Sequence, residues 1–365
     1  MHGARAALKA LLDNRLNVLI VFAPISWVLD VLAPGSPWVF ITASASLIPL
    51  AGVIGLGTEA LAERSGPALG GFLNATFGNA AELIIAMVAL NQGHVELVKA
   101  SISGSIIGNL LLVLGFSFFL GGLGRRSQKF NRTAATNTAA MLFLAVVALV
   151  MPAVFDLSLY GSLQARPPAI NRLSLGTAIV LMVAYAGSLI YALTAERDLF
   201  RPTQSTTSHG HGGLSTGTAI GLLASGTLLT TVQAELLVGA LEPALKQFGF
   251  TELFVGVVLV AIIGNAAEHY SAIAAARRDQ MTLAVEISVG SSAQIALLVA
   301  PAVILYSFAI GHPMSLIFNP FEITAIALSV LATSMVVVDG ESNWVEGLQL
   351  ISVYAIIALA FYFIP

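Results

Sequence analysis

Two pairs of oxygen-bearing side chains recur in this chain. Asn79 and Glu82 lie within GNAAELII (78–85), Asn265 and Glu268 within GNAAEHYS (264–271). A three-residue spacing places the amide and the carboxylate of each pair on one face of a helix. Both groups are hard oxygen donors. Two such sets, with backbone carbonyls freed near Gly78 and Gly264, could supply the roughly six to eight oxygens that Ca²⁺ takes. Two carboxylates also neutralise a divalent charge. Mg²⁺ holds its water and demands tight octahedral geometry, so it fits less well. Soft metals are disfavoured by the oxygen-only chemistry and the lack of cysteine. Burial favours the protonated carboxyl and a bound cation favours the carboxylate, so protons and a divalent ion compete for one site, about two protons per ion. That competition is the thermodynamic basis of antiport.

Other residues could serve the same chemistry. His269, directly after Glu268, could tune or relay protons; a core histidine satisfied by hydrogen bonds is the equal alternative. Ser101, Ser105 and Asn109 recur every four residues beside Gly104 and Gly108, and Ser291, Ser292 and Gln294 answer them in the second half. The glycines suit close helix packing, while Asn109 and Gln294 are expected to line an ion path. Glu59 and Glu235 form a second carboxylate pair well inside apolar runs, suited to gating or proton uptake, or to a hydrogen bond between helices. Glu322 and Asp156 fall near expected helix ends, where solvent reaches them. His209 and His211 form a short tract in a polar linker that reads as ordinary loop.

The elements that must position these groups are membrane helices. Of 365 residues, 57% are hydrophobic and only 10% charged, against about 25% charged in a soluble domain. A span needs about 20 mostly apolar residues. Eleven segments qualify: 16–33, 38–61, 68–91, 96–121, 133–156, 173–195, 216–241, 251–276, 281–307, 320–339 and 344–364. The first is read as a retained helix, since no small-residue cleavage site follows it. The two GNAAE words are 186 residues apart (78 to 264), and Gly104-Ser105 repeats at Gly290-Ser291 with the same offset. This is an internal duplication.

The expected organisation is therefore all-α and polytopic. An N-terminal segment and first helix (1–33) precede a five-helix repeat (38–195), a flexible linker (196–215) and a second five-helix repeat (216–365). Five is odd, so the repeats are inverted, an arrangement that places a transporter's site near the midplane. With the N-terminus inside and the C-terminus outside, twelve basic residues fall on the inner side and only Lys99, Arg166, Arg172 and Lys246 on the outer, as the positive-inside rule requires. An acidic residue at mid-membrane costs about 2.5–3.5 kcal/mol and usually marks an ion or proton path. No lysine or arginine stands near mid-span to pair with Glu82 or Glu268, and a cation from solution is the simplest partner.

These residues resemble a known family. ERSGPALGGFLNATFGNAAELIIA (63–86) and GNAAEHYSAI (264–273) are similar to the signature repeats of the calcium/proton exchangers, the CAX branch of the cation/Ca²⁺ exchanger superfamily. SISGSIIGNLLLVLG (101–115), EISVGSSAQIALLVAP (286–301) and DGESNWVEG (339–347) resemble its other characteristic stretches. The resemblance implies eleven helices, alternating access, and Ca²⁺ and proton binding in turn by Glu82 and Glu268 with Asn79 and Asn265 beside them. It also implies supporting roles for Glu59, Glu235, Ser291 and Gln294. The linker lacks the strongly acidic helix of some fungal members, and no long N-terminal extension precedes the first helix. Both features favour a bacterial inner-membrane protein. The expected partners are the bilayer, Ca²⁺ and protons, with Mn²⁺ and a homo-oligomer left open and with no resident cofactor or nucleic acid. The rival readings are a Na⁺-coupled or Mn²⁺-preferring exchanger and a passive channel. An intramembrane metal-dependent hydrolase would need an HExxH-like set, which the chain lacks.

Overall fold

The computed structural model describes residues 15–161, 168–194 and 214–364. All eleven expected spans come out helical within them. A 3₁₀ turn, Arg15–Val21, leads into α1 (Phe22–Leu32). Then come α2 (Pro37–Ala62), the split pair α3 (Gly66–Phe77) and α4 (Ala80–Asn91), α5 (Val95–Gly122), α6 (Arg132–Tyr160) and α7 (Pro168–Thr194). The second half holds α8 (Thr216–Gly239), α9 (Leu241–Phe248), the split pair α10 (Glu252–Gly264) and α11 (Ala266–Arg277), α12 (Met281–Ala309), α13 (Pro320–Val337) and α14 (Trp344–Phe363). Among the described residues, eight helices are individually long and apolar enough to cross a membrane. The remaining spans are the short α1 and the two broken ones that carry the motifs. The protein is an all-α polytopic membrane protein with a first helix and two inverted repeats of five.

Local chemistry sets the boundaries. Asn131 caps α6 through the N–H of Ala134, and Ser215 caps α8 through Thr218. Asn319 with Glu322 and Asn343 with Glu346 form reciprocal capping boxes at α13 and α14. Among the described residues the one helix not expected is α9, within what reads as a connection. Its insertion explains why Glu59 and Glu235 do not share the offset of the motifs.

The duplication is also written in the backbone. The turn after α4 puts Gly93 at φ 87°, and the turn after α11 puts Asp279 at φ 63°. His94 N–H closes the first turn on Ala89 O at 2.9 Å, and Gln280 N–H closes the second on Ala275 O at 3.0 Å. Every one of these positions obeys the 186-residue offset. Two π-turns follow it to within one residue: Gly108–Val113 in α5 and Ile295–Val299 in α12 end at the same offset.

Packing divides the chain into two compact units, each drawing helices from both halves of the sequence. The first holds the described residues of Met1–His94, Leu189–Phe250 and Ile263–Ala267. Its axis is the packing of α2 on α8, made close by small residues. A side chain at Gly57 would run into the backbone of Ala219 and Leu223, and one at Gly226 into Ile54. Helix α1 is tied to α8 by Ser26, whose hydroxyl donates to Gln233 Oε1 at 2.8 Å.

The second unit holds the described residues of Val95–Ser188, Thr251–Ile262 and Glu268–Pro365. There α14 lies along the C-terminal half of α5, at Gly115 and Gly347. Three of its connections are tied together. β1 (Gln128–Lys129) pairs antiparallel with β2 (Glu341–Ser342). Gln128 also donates to Ala276 O at 3.0 Å and to Asp279 Oδ1 at 2.7 Å.

Candidate functional site

Each motif interrupts a span. α3 stops at Phe77, the chain turns through Gly78 and Asn79, and α4 restarts at Ala80. In the second half Asn265 makes the turn between α10 and α11. A restarted helix presents first-turn N–H groups without intrahelical partners and the positive end of its dipole. Glu82 and Glu268 both lie in those first turns. Broken helices of this kind build ion sites in transporters. Asn79 and Asn265 are buried, and the Asn79 side chain does not cap its own helix.

In the first unit the first motif's carboxylate meets the second motif's backbone. Glu82 Cγ stands 3.4 Å, and Oε1 3.6 Å, from the point where a Cβ on Gly264 would lie. That is ordinary van der Waals range, so the Glu82 carboxylate group lies beside the helix break. The letter G in both motifs is visible in the sequence, but its proximity to Glu82 is not.

In the second unit Glu268 ends a hydrogen-bond chain. Ser291 Oγ donates to Glu268 Oε2 at 2.5 Å and accepts from Asn109 Nδ2 at 3.2 Å. A hydroxyl offers one donor and two acceptor positions, so Ser291 can do both. Ser105 is buried one turn before Asn109, and Gln294 is half-buried just before the π-turn of α12. Ser292 serves packing instead, donating to Ser288 O at 3.0 Å with Ile106 O 3.4 Å away as the alternative acceptor.

The π-turns redirect carbonyls around this chain. In an α-helix Leu114 N–H would take Leu110 O; here it takes Asn109 O and Leu111 O. The hydroxyl of Thr333 on α13 donates to Leu110 O at 3.3 Å. α10 carries a further π-turn, Val255–Val260, in which Ala261 N–H bypasses Val257 O for Gly256 O and Val258 O. The bypassed carbonyl lies against Gly104, where any side chain would overlap it. The packing reading of Gly104 therefore holds. Gly108 and Gly290 have no atom within 4 Å of where a side chain would start.

Several expected residues sit elsewhere. Glu59 and Glu235 are not deep within their helices: each falls one turn before its helix ends, at Ala62 and Gly239, and each is exposed. The apolar runs that suggested depth continue past them into the next turn. His269 is half-buried, about 100° around the helix from Glu268, and among the described residues its ring makes no hydrogen bond.

Glu322 and Asp156 are fully buried rather than reached by solvent. Glu322 accepts from Ser103 Oγ at 2.6 Å and from Asn319 N–H at 2.9 Å, while neither oxygen of Asp156 has a hydrogen-bond partner. His209 and His211 lie outside the described residues. Among the described residues no three His, Asp or Glu side chains gather at one point. A cation here would draw on hydroxyl, amide and backbone oxygens besides carboxylates.

Comparison with known proteins fits this geometry. One family model, the sodium/calcium exchanger protein family, matches the chain twice, over residues 35–194 and 218–363. A Ca²⁺/H⁺ antiporter of Synechocystis is 42% identical over 95% of this chain and 97% of its own length. The Ca²⁺/H⁺ antiporter ChaA of Bacillus subtilis is 38% identical over 96% of this chain and 99% of its own. The solved structure of native YfkE superposes with a TM-score of 0.82 at 37% identity, covering 96% of this chain and all of that one. The chain belongs to the sodium/calcium exchanger family, in its calcium/proton exchanger branch.

Proposed function

We propose that this protein is a secondary active Ca²⁺/H⁺ antiporter that exports cytosolic Ca²⁺ in exchange for protons by alternating access. Glu82 and Glu268 take Ca²⁺ or protons in turn, with Asn79 and Asn265 beside them. The observation that carries this reading is the placement of both carboxylates in the first turn of a restarted helix. Glu82 lies beside the second motif's Gly264 and Glu268 is held by Ser291. Buried amides and hydroxyls beside carboxylates suit a hard divalent cation, and carboxyl groups carry protons in its absence. The antiporters of Synechocystis and Bacillus subtilis, similar over nearly their whole length, support Ca²⁺ as the cation and H⁺ as the counter-ion.

The protein is a transporter and not an enzyme, and it uses no resident cofactor. It lies in a bacterial inner membrane with its N-terminus cytoplasmic and its C-terminus outside, a reading supported by the distribution of its basic residues. Glu59 and Glu235, each near a helix end and exposed, serve gating or proton uptake. Mn²⁺ belongs to the same hard-oxygen class, and competition against Ca²⁺ uptake measures its share.

The test is Ca²⁺ uptake into inside-out vesicles under an imposed pH gradient. Wild-type vesicles take up Ca²⁺, and Glu82→Gln or Glu268→Gln reduces uptake to background. Normal gradient-driven uptake by either variant sinks the two-carboxylate mechanism. Uptake driven by Na⁺ but not by protons moves the protein to the Na⁺-coupled class.

A further inference from the structure

Thr333 stands outside every motif, on a helix that contributes neither carboxylate, yet it is fully buried and its hydroxyl reaches into α5. The atom it reaches is Leu110 O, the acceptor that the π-turn takes away from Leu114 N–H. A buried carbonyl left without a donor costs about 1–3 kcal/mol. A hydroxyl from a neighbouring helix therefore favours the π-turn over a regular α-helical register. The register matters because Asn109 lies within that turn, one residue before Leu110. A π-turn inserts one residue per turn and rotates the helix on its N-terminal side relative to the helix on its C-terminal side. Reverting to α-geometry would swing the Asn109 amide away from Ser291, and Ser291 is the donor to Glu268.

We propose that Thr333 is a positioning residue for ion exchange: its hydroxyl holds the π-turn of α5 in the register that lets Asn109 and Ser291 orient Glu268. The other hydroxyls of α13 differ in kind. Ser329 is equally buried but donates to Ala325 O of its own helix at 2.6 Å, and Ser334 donates likewise to Val330 O at 2.7 Å. Thr333 alone among these three spends its hydroxyl on another helix.

This inference rests on the exchange activity proposed above, and its test keeps the two apart. Full-length protein is reconstituted into vesicles, and the Ca²⁺ dependence and pH profile of gradient-driven uptake are measured. Wild type, Thr333→Val, Thr333→Ser, Ser329→Ala, Asn109→Ala and the Asn109→Ala/Thr333→Val pair are compared. Thr333→Val, which keeps the shape and loses the donor, is expected to raise the KM for Ca²⁺ about fivefold, the worth of one neutral hydrogen bond, and to shift the pH profile. Thr333→Ser restores both to within about twofold, and Ser329→Ala leaves both unchanged. In the Asn109→Ala background the valine adds no further change, because the residue it positions is gone.

An unaltered KM and pH profile in Thr333→Val overturns the assignment. So does equal impairment by serine and valine, which would make the methyl group and its packing the cause, and so does additivity in the double variant. If Thr333→Val does not survive extraction, the serine variant decides: wild-type KM and pH profile support the hydroxyl, and impairment refutes it. Absence of proton-driven uptake in the wild type would instead overturn the proposed function.

Discussion

The two motif helices carry the same five letters in different surroundings. Ahead of Asn79, α3 runs as a regular helix, with Gly70 against the carbonyl of Ala62 at the end of α2. Ahead of Asn265, α10 contains a π-turn whose bypassed carbonyl is pressed against Gly104 of α5. By the offset that relates the halves, Gly104 corresponds to Gly290, where among the described residues a Cβ would meet open space beyond its own helix backbone. The carboxylates also differ in what lies beside them: Glu82 lies by Gly264, and Glu268 accepts from the Ser291 hydroxyl. Duplication preserved the motif residues and let their packing diverge.

Substitutions can break or sharpen this contrast. The largest effect is expected at the glycines. Gly104→Ala puts a methyl into the backbone of Val257 and should cost about 1–3 kcal/mol or more, as overpacking does. Gly290→Ala, with open space around it, should stay within about 0.5 kcal/mol. Thermal unfolding of the purified protein in detergent measures both, and equal losses would erase the asymmetry.

Next comes Ser291→Ala, which removes the donor to Glu268. A hydrogen bond to a charged group is worth about 1.5–3 kcal/mol, so the KM for Ca²⁺ should rise at least tenfold with the fold intact. An unchanged KM would mean that the grip on Glu268 is incidental.

The smallest effects belong to the duplicated turn. Gly93→Ala meets a left-handed backbone and should lose about 1 kcal/mol. At Asp279, glycine relieves the left-handed strain but forfeits the bond from Gln128, so Asp279→Gly should come out within about 0.5 kcal/mol of wild type. A large loss there would show that the Gln128 contact outweighs the backbone.

Much of this was legible in the residues. The spans follow from apolar length, but 68–91 and 251–276 read as continuous helices, and the breaks at the Gly-Asn words appear only in the structure. The spacing that suggests one helix face for Asn79 and Glu82 does not hold as such, because Asn79 stands in the turn before α4 and only Glu82 lies on the helix. What escaped depends on a second helix. A π-turn is decided by who receives the bypassed carbonyl, so neither Thr333 nor the contact of Val257 with Gly104 leaves a periodic trace. Glu322 and Asp156 read as helix-end residues, and only neighbouring elements of the folded unit remove them from solvent. Glu59 and Glu235 depart in the opposite direction, because an apolar run does not announce where its helix stops.

The short pairing of Gln128–Lys129 with Glu341–Ser342 bears on how this protein can be handled. The connection it belongs to, GGLGRRSQKFN (121–131), is basic, glycine-containing and exposed over much of its length. An engineer seeking a place for a fluorescent fusion or a protease site would choose it first. Yet Gln128 grips the end of α11, the N–H of Asn131 bonds Thr282 at the start of α12, and β2 leads into α14. Cargo spliced between Arg126 and Asn131 would unfasten three helices at one stroke.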